Sequence, residues 1–216
     1  MVQVKICCIA SLTEARLAIR CGAAALGFVS AMPSGPGVIS EEQIASIIPF
    51  VPEGIATFLM TSKTSVAEII GQYEKCCPSV FQLCDRVTPE VHRELKDRLP
   101  DVKLVQVVHV LGEASIEEAS VQSHTVDALL LDSGNPDLAT KSLGGTGRAH
   151  NWEISREIVR LSGVPVYLAG GLTPGNVAEA VRVVQPFGVD VCSGVRTEGK
   201  LDRKKLERFV GIASTT

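Results

Sequence analysis

The chain alternates short apolar runs with amphipathic segments from one end to the other. The runs are rich in β-branched residues and do not alternate strictly with polar ones, which predicts strands that are buried on both faces. Eight such runs occur, at Val2–Ile9, Ala25–Val29, Gly54–Met60, Val80–Cys84, Val102–Val110, Val126–Leu131, Val164–Ala169 and Val189–Ser193.

Helix start signals fall between these runs. Three serines are each followed three residues later by a glutamate, the spacing of a capping box, at Ser11, Ser65 and Ser115. Ser40 has a weaker form of this signal, with a glutamine in the third position. Two pairs place proline at a first helical position behind an N-cap, at Thr88-Pro89 and Thr173-Pro174. With the segments that begin at Trp152 and Asp202, the pattern predicts eight helices.

Eight strand–helix units predict a single (β/α)8 TIM barrel over residues 1–216, rather than an open doubly wound sheet. The chain is near the lower size limit of that fold, so its loops must be short. In such barrels the chemistry lies at the carboxyl ends of the strands, and those ends are therefore the places to look for a site.

The composition of the chain argues against several classes of function. Hydrophobic residues make up 45% of the chain, which is enough for a real core, and the net charge is −3 without a basic stripe. A nucleic-acid partner is therefore not expected. No apolar run approaches the ~18 residues that a membrane span needs, and the first residues do not resemble a signal peptide. Seven cysteines, an odd number without C-x-x-C spacing, argue against disulfides and structural zinc and favour a reducing cytoplasm.

Two strand ends carry candidate catalytic groups. Lys5 and Cys7 lie two residues apart, so both can face the barrel interior, where the cation would favour the Cys7 thiolate as a base or nucleophile. In the alternative interpretation, Cys7 is a small core thiol and Lys5 lies at the solvated end of the strand. Asp132 directly follows the sixth run, where a barrel can place a general acid or base, although an aspartate there can also simply form a turn.

Glycines follow the last three predicted strands. They occur in Gly144–Gly147, in Gly170-Gly171 and in Ser193-Gly194. Backbone N–H groups in such segments can approach an anion closely, and the loops after strands 7 and 8 are the usual phosphate site of this fold. The order of these motifs predicts a phosphate cup.

Taken together, the motifs resemble those of the phosphoribosylanthranilate isomerase family, essentially from end to end. The likeness rests on Lys5-Ile-Cys7, Gly22–Val29, Phe81-Gln82-Leu83, Leu129–Asp132, Gly144–Gly147 followed by Asn151-Trp152, Leu168–Val177 and Gly188–Gly194.

The resemblance implies an Amadori rearrangement in tryptophan biosynthesis, which converts an aminoaldose phosphate into an aminoketose phosphate. Asp132 would be the general acid that opens the ribose ring, and Cys7 the general base that takes the proton from C2′. No metal or organic cofactor is implied. The partner would be a sugar phosphate, and the chain a monomer or homodimer. The implied substrate- and phosphate-binding residues are Lys5, Gly145, Thr146, Gly147, Gly170, Gly171, Ser193 and Gly194.

Several positions depart from the family pattern at the end of the site that should bind anthranilate. Gly37 stands where the family has a loop arginine that pairs with the substrate carboxylate, and Cys84 stands where it has a histidine. Cys8 replaces a glycine, His109 a strand 5 arginine and Arg196 a glutamate.

Three interpretations of these departures stay open. In the first, Arg148, His150 or Arg196 binds the carboxylate and the family's activity survives. In the second, the chain is a diverged paralogue that acts on another sugar phosphate. In the third, it is a barrel that binds a phosphate ligand without catalysis. A lyase or synthase on the same barrel is a weaker option, since Lys5 is the single lysine placed to serve it.

Overall fold

Eight parallel strands close into a barrel in chain order, with β1 hydrogen-bonded to both β2 and β8. The structure is a computed structural model that describes residues 1–135, 137, 138, 141, 143 and 150–216. Each predicted apolar run overlaps one strand, and the closed barrel confirms the predicted fold class. The strands are β1 (Gln3–Ile6), β2 (Ala25–Val29), β3 (Ala56–Thr61), β4 (Val80–Leu83), β5 (Lys103–His109), β6 (Ala128–Asp132), β7 (Val166–Leu168) and β8 (Gly188–Val191).

Eight α-helices occur in the described part of the chain, and they pack around the barrel. They are α1 (Leu12–Arg20), α2 (Glu41–Ile47), α3 (Val66–Cys76), α4 (Pro89–Arg98), α5 (Ala114–Ser123), α6 (Trp152–Leu161), α7 (Val177–Val184) and α8 (Arg203–Thr215). Ser11 and Ser40 act as predicted caps, because each side chain accepts a hydrogen bond from a backbone N–H in the first turn of its helix. Asp202, where the last helical segment was predicted to begin, caps α8 in the same way. None of the described helices is long and apolar enough to cross a lipid bilayer.

Two predicted helix starts are wrong. The fifth helix begins at Ala114, before Ser115, whose buried hydroxyl accepts from the Leu111 N–H and donates to the His109 carbonyl. The seventh begins at Val177, because the Thr173 N–H donates to the side chain of Asn176 and closes a turn before the helix. In both places a local side-chain hydrogen bond replaces the expected cap.

A small hairpin after β8 is absent from the sequence prediction. Strands β9 (Arg196–Thr197) and β10 (Lys200–Leu201) pair antiparallel across a turn, in which Glu198 and Gly199 have positive φ. The hairpin lies outside the barrel sheet and replaces no strand–helix unit.

The core has two layers separated by the strands. Outside the barrel, strand residues such as Phe28 and Leu59 pack with helix residues such as Ile44 and Ile69. The barrel interior is filled by a second cluster that includes Phe58 and Tyr167, whose rings meet edge to face at 5.8 Å between centroids. This filled interior closes the barrel from below, so a ligand can enter only from above, at the carboxyl ends of the strands.

Candidate active site

A pocket of about 630 Å³, part of it open to solvent, lies at the carboxyl ends of the strands. The structure brings most of the described sequence-predicted residues to it: Cys7, Asp132, Gly170, Gly171 and Ser193. The remaining wall comes from the loop after β2 and from neighbouring side chains, namely Cys8, Val29, Met32, Ser34, Gly35, Pro36, Met60, Leu143, Ala169, Leu172, Asp190, Val191 and Cys192.

Cys7 follows β1 and faces this pocket. Its side chain is only 4% exposed, and its backbone N–H donates to the Val191 carbonyl at 2.9 Å. The Cys7 thiol lies 3.1 Å from the Met60 Sδ and 3.7 Å from the Cys8 Sγ. Pairing between β1 and β8 thus fixes the backbone of Cys7, while the sulfur stays at the pocket surface.

Lys5 lies below the pocket rather than in it. Its side chain is fully buried (0% exposed), and its Nζ forms an ion pair with Asp190 Oδ1 at 2.9 Å. The Lys5 Nζ also lies 5.1 Å from the centre of the Phe58 ring. Neither a solvated Lys5 nor a Lys5 in contact with phosphate agrees with this burial, and both expectations are corrected.

The buried lysine is charged. Burial alone would lower the pKa of Lys5, but the Asp190 carboxylate and the neighbouring Cys7 raise it above its ordinary value. A β-carbon on Gly27 would lie 3.0 Å from Lys5 Nζ and 3.3 Å from Cys7 Sγ, so the cation and the thiol face the same glycine of β2.

Asp132 is the last residue of β6 and lies beside the start of the loop after β7. Its carboxylate accepts a 2.7 Å hydrogen bond from the Ser133 N–H, and the residue is 9% exposed. A β-carbon on Gly170 (φ +80°) would lie 3.2 Å from Asp132 Oδ1 and 3.0 Å from His150 Nδ1. The glycine therefore leaves space for the carboxylate and the imidazole to approach the loop.

His150 is close to Asp132 but is not a cation at neutral pH. Its Nε2 shares a 2.7 Å hydrogen bond with Ser155 Oγ, and burial lowers the pKa of His150 to about 4. A neutral imidazole can offer a carboxylate a hydrogen bond but not a salt bridge, and the assignment of His150 to the substrate carboxylate stays a prediction.

Arg196 is engaged in the framework of the barrel. Its guanidinium, 9% exposed, pairs with Glu14 of α1 at 2.8 Å and donates to the carbonyl of Cys8 at 2.5 Å. It also donates to the carbonyls of Cys7 and Gly199. With these acceptors in place, Arg196 joins β1, α1 and the hairpin after β8, and the expectation that it binds the substrate carboxylate is corrected.

Four predicted residues lie outside the described part of the chain, namely Gly145, Thr146, Gly147 and Arg148. Their assignments stay predictions from the sequence.

The loops after β7 and β8 meet where the phosphate cup was predicted. Gly170 and Gly171 both have positive φ, and no described residue accepts a hydrogen bond from their backbone N–H groups. A β-carbon on Gly194 would lie 1.9 Å from the Leu172 carbonyl oxygen, so the two loops touch at that glycine. Asn176 fixes the first loop, since its side-chain amide donates to the Gly171 carbonyl. Short turns of this kind, whose N–H groups have no acceptor among the described residues, suit an anion.

Sequence reasoning missed two parts of the pocket wall. Asp190 lies two residues before Cys192 on β8, and the alternation of strand faces could have paired it with Lys5. Met60, which contacts the Cys7 thiol, carries no signal beyond its place at the end of an apolar run. Among the described residues, no group of three or more His, Cys, Asp or Glu side chains is arranged to hold a metal ion.

Comparisons with known proteins converge on one family. The family model described as N-(5′-phosphoribosyl)anthranilate (PRA) isomerase matches residues 4–211. A protein of that name from Pelobacter propionicus is 38% identical over 100% of this chain and 97% of its own length. The crystal structure of the phosphoribosyl anthranilate isomerase from Thermotoga maritima superposes with a TM-score of 0.86 at 29% identity, covering 100% of both chains. A further structure of such an isomerase, bound to reduced 1-(o-carboxyphenylamino)-1-deoxyribulose 5-phosphate, matches with a TM-score of 0.83 at 27% identity, also over 100% of both chains.

Proposed function

Because the chain belongs to the N-(5′-phosphoribosyl)anthranilate isomerase family, we propose that its pocket carries out the family's Amadori rearrangement with Cys7 and Asp132 as the acid–base pair. The observation that carries the proposal is their shared pocket: a thiol above a buried cation and a carboxylate beside a neutral imidazole. Such unlike surroundings suit one group that enters deprotonated and one that enters protonated.

The first step opens the ribose ring. Protonated Asp132 gives its proton to the ring oxygen as the bond from that oxygen to C1′ breaks, and the amine lone pair forms the Schiff base. His150, close to Asp132, is neutral. Asp132 leaves this step as a carboxylate.

The second step moves a proton away from carbon. The Cys7 thiolate takes the proton from C2′, and the electron pair shifts through the Schiff base to the nitrogen, giving an enolamine. Protonation at C1′ and loss of the hydroxyl proton at C2′ then yield the aminoketose. Lys5, charged and 0% exposed, lies beside Cys7 and is paired with Asp190.

The phosphate would bind at the loops after β7 and β8. Gly170 and Gly171 would present backbone N–H donors with no side chain in the way, which suits a phosphate dianion. Ser193 lines the same pocket, and Gly194 lies at the contact between the two loops. The phosphate holds the sugar at one end of the pocket, so that its C1′ and C2′ lie between the acid and the base.

The aryl group would then occupy the opposite side of the pocket. Met32, Pro36, Met60 and Leu143 make that side largely apolar, as a planar aromatic ring requires. Of the three basic residues considered for the carboxylate, His150 is neutral and Arg196 is engaged, which leaves Arg148 as the sequence-based candidate for a salt bridge.

A fluorescence assay tests the proposal. Consumption of N-(5′-phosphoribosyl)anthranilate should be followed with the purified chain, and complementation should be tried in a strain that lacks the isomerase. Turnover and growth are expected from the wild type. A chain that binds inorganic phosphate but neither consumes the substrate nor restores growth would contradict the proposal and favour a binding protein.

A further inference from the structure

Two residues with left-handed backbone conformation face each other at the rim of the pocket. Cys8, just after β1, has φ +61°, and Gly37, in the loop after β2, has φ +79°. A β-carbon built on Gly37 would lie 2.5 Å from the β-carbon of Cys8 and 3.0 Å from its Sγ. Carbon atoms pack at roughly 3.5–4.0 Å, so the two side chains cannot coexist without a backbone shift. Rotation about χ1 gives no relief, because both β-carbons are fixed by the backbone.

Cys8 is held firmly on its side of this contact. Its carbonyl accepts a hydrogen bond from Arg196, and its thiol lies 3.6 Å from the Pro36 carbonyl and 3.7 Å from the Cys7 Sγ. Contacts with Cys192 and Cys7, together with burial, raise the pKa of the Cys8 thiol, so it stays neutral. The Cys8 side chain is therefore fixed and uncharged, and it occupies the space that a side chain on residue 37 would need. Only glycine fits at position 37 beside it.

The absence of a side chain at position 37 affects one wall of the pocket. The loop after β2 contributes Met32, Ser34, Gly35 and Pro36 to the pocket, and none of them carries a charge. A side chain on residue 37 would point towards Cys8, which itself lines the pocket, so residue 37 is a position from which a charged group could reach the ligand. With glycine there, the wall formed by this loop offers apolar surface and no cation.

We propose that Cys8 is a specificity-determining residue: by excluding a side chain at position 37, it keeps charge out of the wall formed by the β2 loop, so that this wall selects the ring of an arylamine and not its carboxylate. The proposal rests on the proposed function, since it assigns the aryl end of the same pocket. The steric part can be tested separately from activity.

Stability tests the steric part. Gly37→Ala adds only the disputed β-carbon, and Gly54→Ala is its matched control, because Gly54 has φ +87° with nothing within 4 Å of the added carbon. Cys77→Gly is the control for Cys8→Gly, since Cys77 is an exposed cysteine with φ +48°. We expect Gly37→Ala to lower the melting temperature by about 5 °C more than Gly54→Ala in the wild type and in Cys77→Gly. In Cys8→Gly this excess should be markedly smaller, because only the Cα of residue 8, 3.1 Å from the added carbon, then remains close. Equal losses in all three backgrounds would overturn the proposal.

Substrate preference tests the specificity part. The ratio of kcat/KM for the phosphoribosyl derivatives of anthranilate and of aniline should be measured in the wild type, Gly37→Arg, Cys8→Gly and the double variant. A guanidinium that reaches the carboxylate should raise the ratio at least ~10-fold in the double variant relative to Cys8→Gly. Gly37→Arg alone should raise it less than ~3-fold, because Cys8 blocks the side chain. An equal gain in the single variant, or no gain in the double variant, would overturn the proposal. If the wild type consumes neither compound, the proposed function fails, and the melting temperatures still decide the steric part.

Discussion

The pocket has two sides that differ in how they are built. The chemistry side, formed by the ends of β1, β6, β7 and β8, holds Cys7, Asp132 and the glycine-rich loops in contacts that tie strand to strand. The loop side is formed by residues 30–39 and by Met60 of β3. It meets the chemistry side where the Cys8 thiol lies close to the Pro36 carbonyl and where Met60 contacts the Cys7 thiol. The first keeps the Cys7, Asp132 and glycine motifs of the family pattern, whereas the second has Gly37 where the family has an arginine. Acid–base chemistry requires the acid and the base to be placed accurately relative to the reacting atoms. An aryl group, in contrast, can be bound by pocket walls of more than one composition.

The largest effect should follow removal of the acid on the chemistry side. Asp132→Asn keeps the shape of the side chain but cannot donate the proton that opens the ring, so kcat should fall ~10²–10⁴-fold. Steady-state fluorescence kinetics measure the loss, and Asp101→Asn, an exposed residue at the opposite end of the barrel, is the control. Turnover of Asp132→Asn within a few-fold of the wild type would assign the acid elsewhere.

The ion pair below the pocket should matter for folding as well as for rate. Lys5→Met leaves Asp190 buried without its partner, which should reduce the free energy of unfolding by about 3–5 kcal/mol. Urea unfolding measures this change, and Lys5→Met with Asp190→Asn should recover most of it, because no uncompensated charge then remains. A double variant as unstable as the single one would show that packing, and not charge, dominates at Lys5.

His150 should make stability depend on pH. The pKa of His150 in the folded protein, about 4, lies below the ordinary value of 6.5. Between these two pH values the unfolded chain therefore binds a proton at His150 that the folded chain does not bind. The stability is therefore complete above about pH 6.5 and decreases as the pH falls towards 4, by roughly 1–3 kcal/mol. Urea unfolding at pH 7.5 and 4.5 should show a smaller difference for His150→Gln than for the wild type. The control, exposed His124→Gln, should leave the difference unchanged, and an unchanged difference in His150→Gln would contradict the assignment.

The loop side should respond in binding and not in turnover. Met32→Ala removes apolar surface from the wall that faces the aryl ring, so KM should rise ~3–10-fold while kcat changes little. Leu161→Ala, at an exposed apolar side chain remote from the pocket, is the matched control. A fall in kcat with KM unchanged would show that Met32 acts in the chemical step. It would contradict the division of the pocket into a chemistry side and a loop side.

The chemistry side could largely be predicted from the sequence, because each of its parts is local. Cys7 and Asp132 stand at the ends of recognisable apolar runs, and the glycines after β7 and β8 occur in a characteristic order. The same locality explains the confirmed barrel, since eight alternating units fix the order of the strands. The seventh helix starts late because a hydrogen bond from Thr173 to Asn176 competes with the proline signal.

The features that could not be predicted concern partners that lie far apart in sequence. Arg196 pairs with Glu14 across 182 positions, and the burial that keeps His150 neutral comes from tertiary packing. Lys5 was expected at a solvated strand end or in contact with phosphate, and only the closed barrel shows that Asp190 faces it. The close approach of Cys8 to Gly37 likewise could not be predicted from the sequence, because nothing in the sequence indicates that Cys8 has a positive φ.

One measurement tests the central claim most directly, namely the turnover of Cys7→Ser beside that of Cys77→Ser. Cys77 is the exposed thiol at the end of α3, far from the pocket, and its replacement should leave kcat unchanged. If the thiolate of Cys7 abstracts the proton from C2′, Cys7→Ser should lower kcat at least ~10²-fold, because a hydroxyl is a far weaker acid than a thiol. Both variants should melt within a few degrees of the wild type. Near wild-type turnover of a folded Cys7→Ser protein would contradict the account.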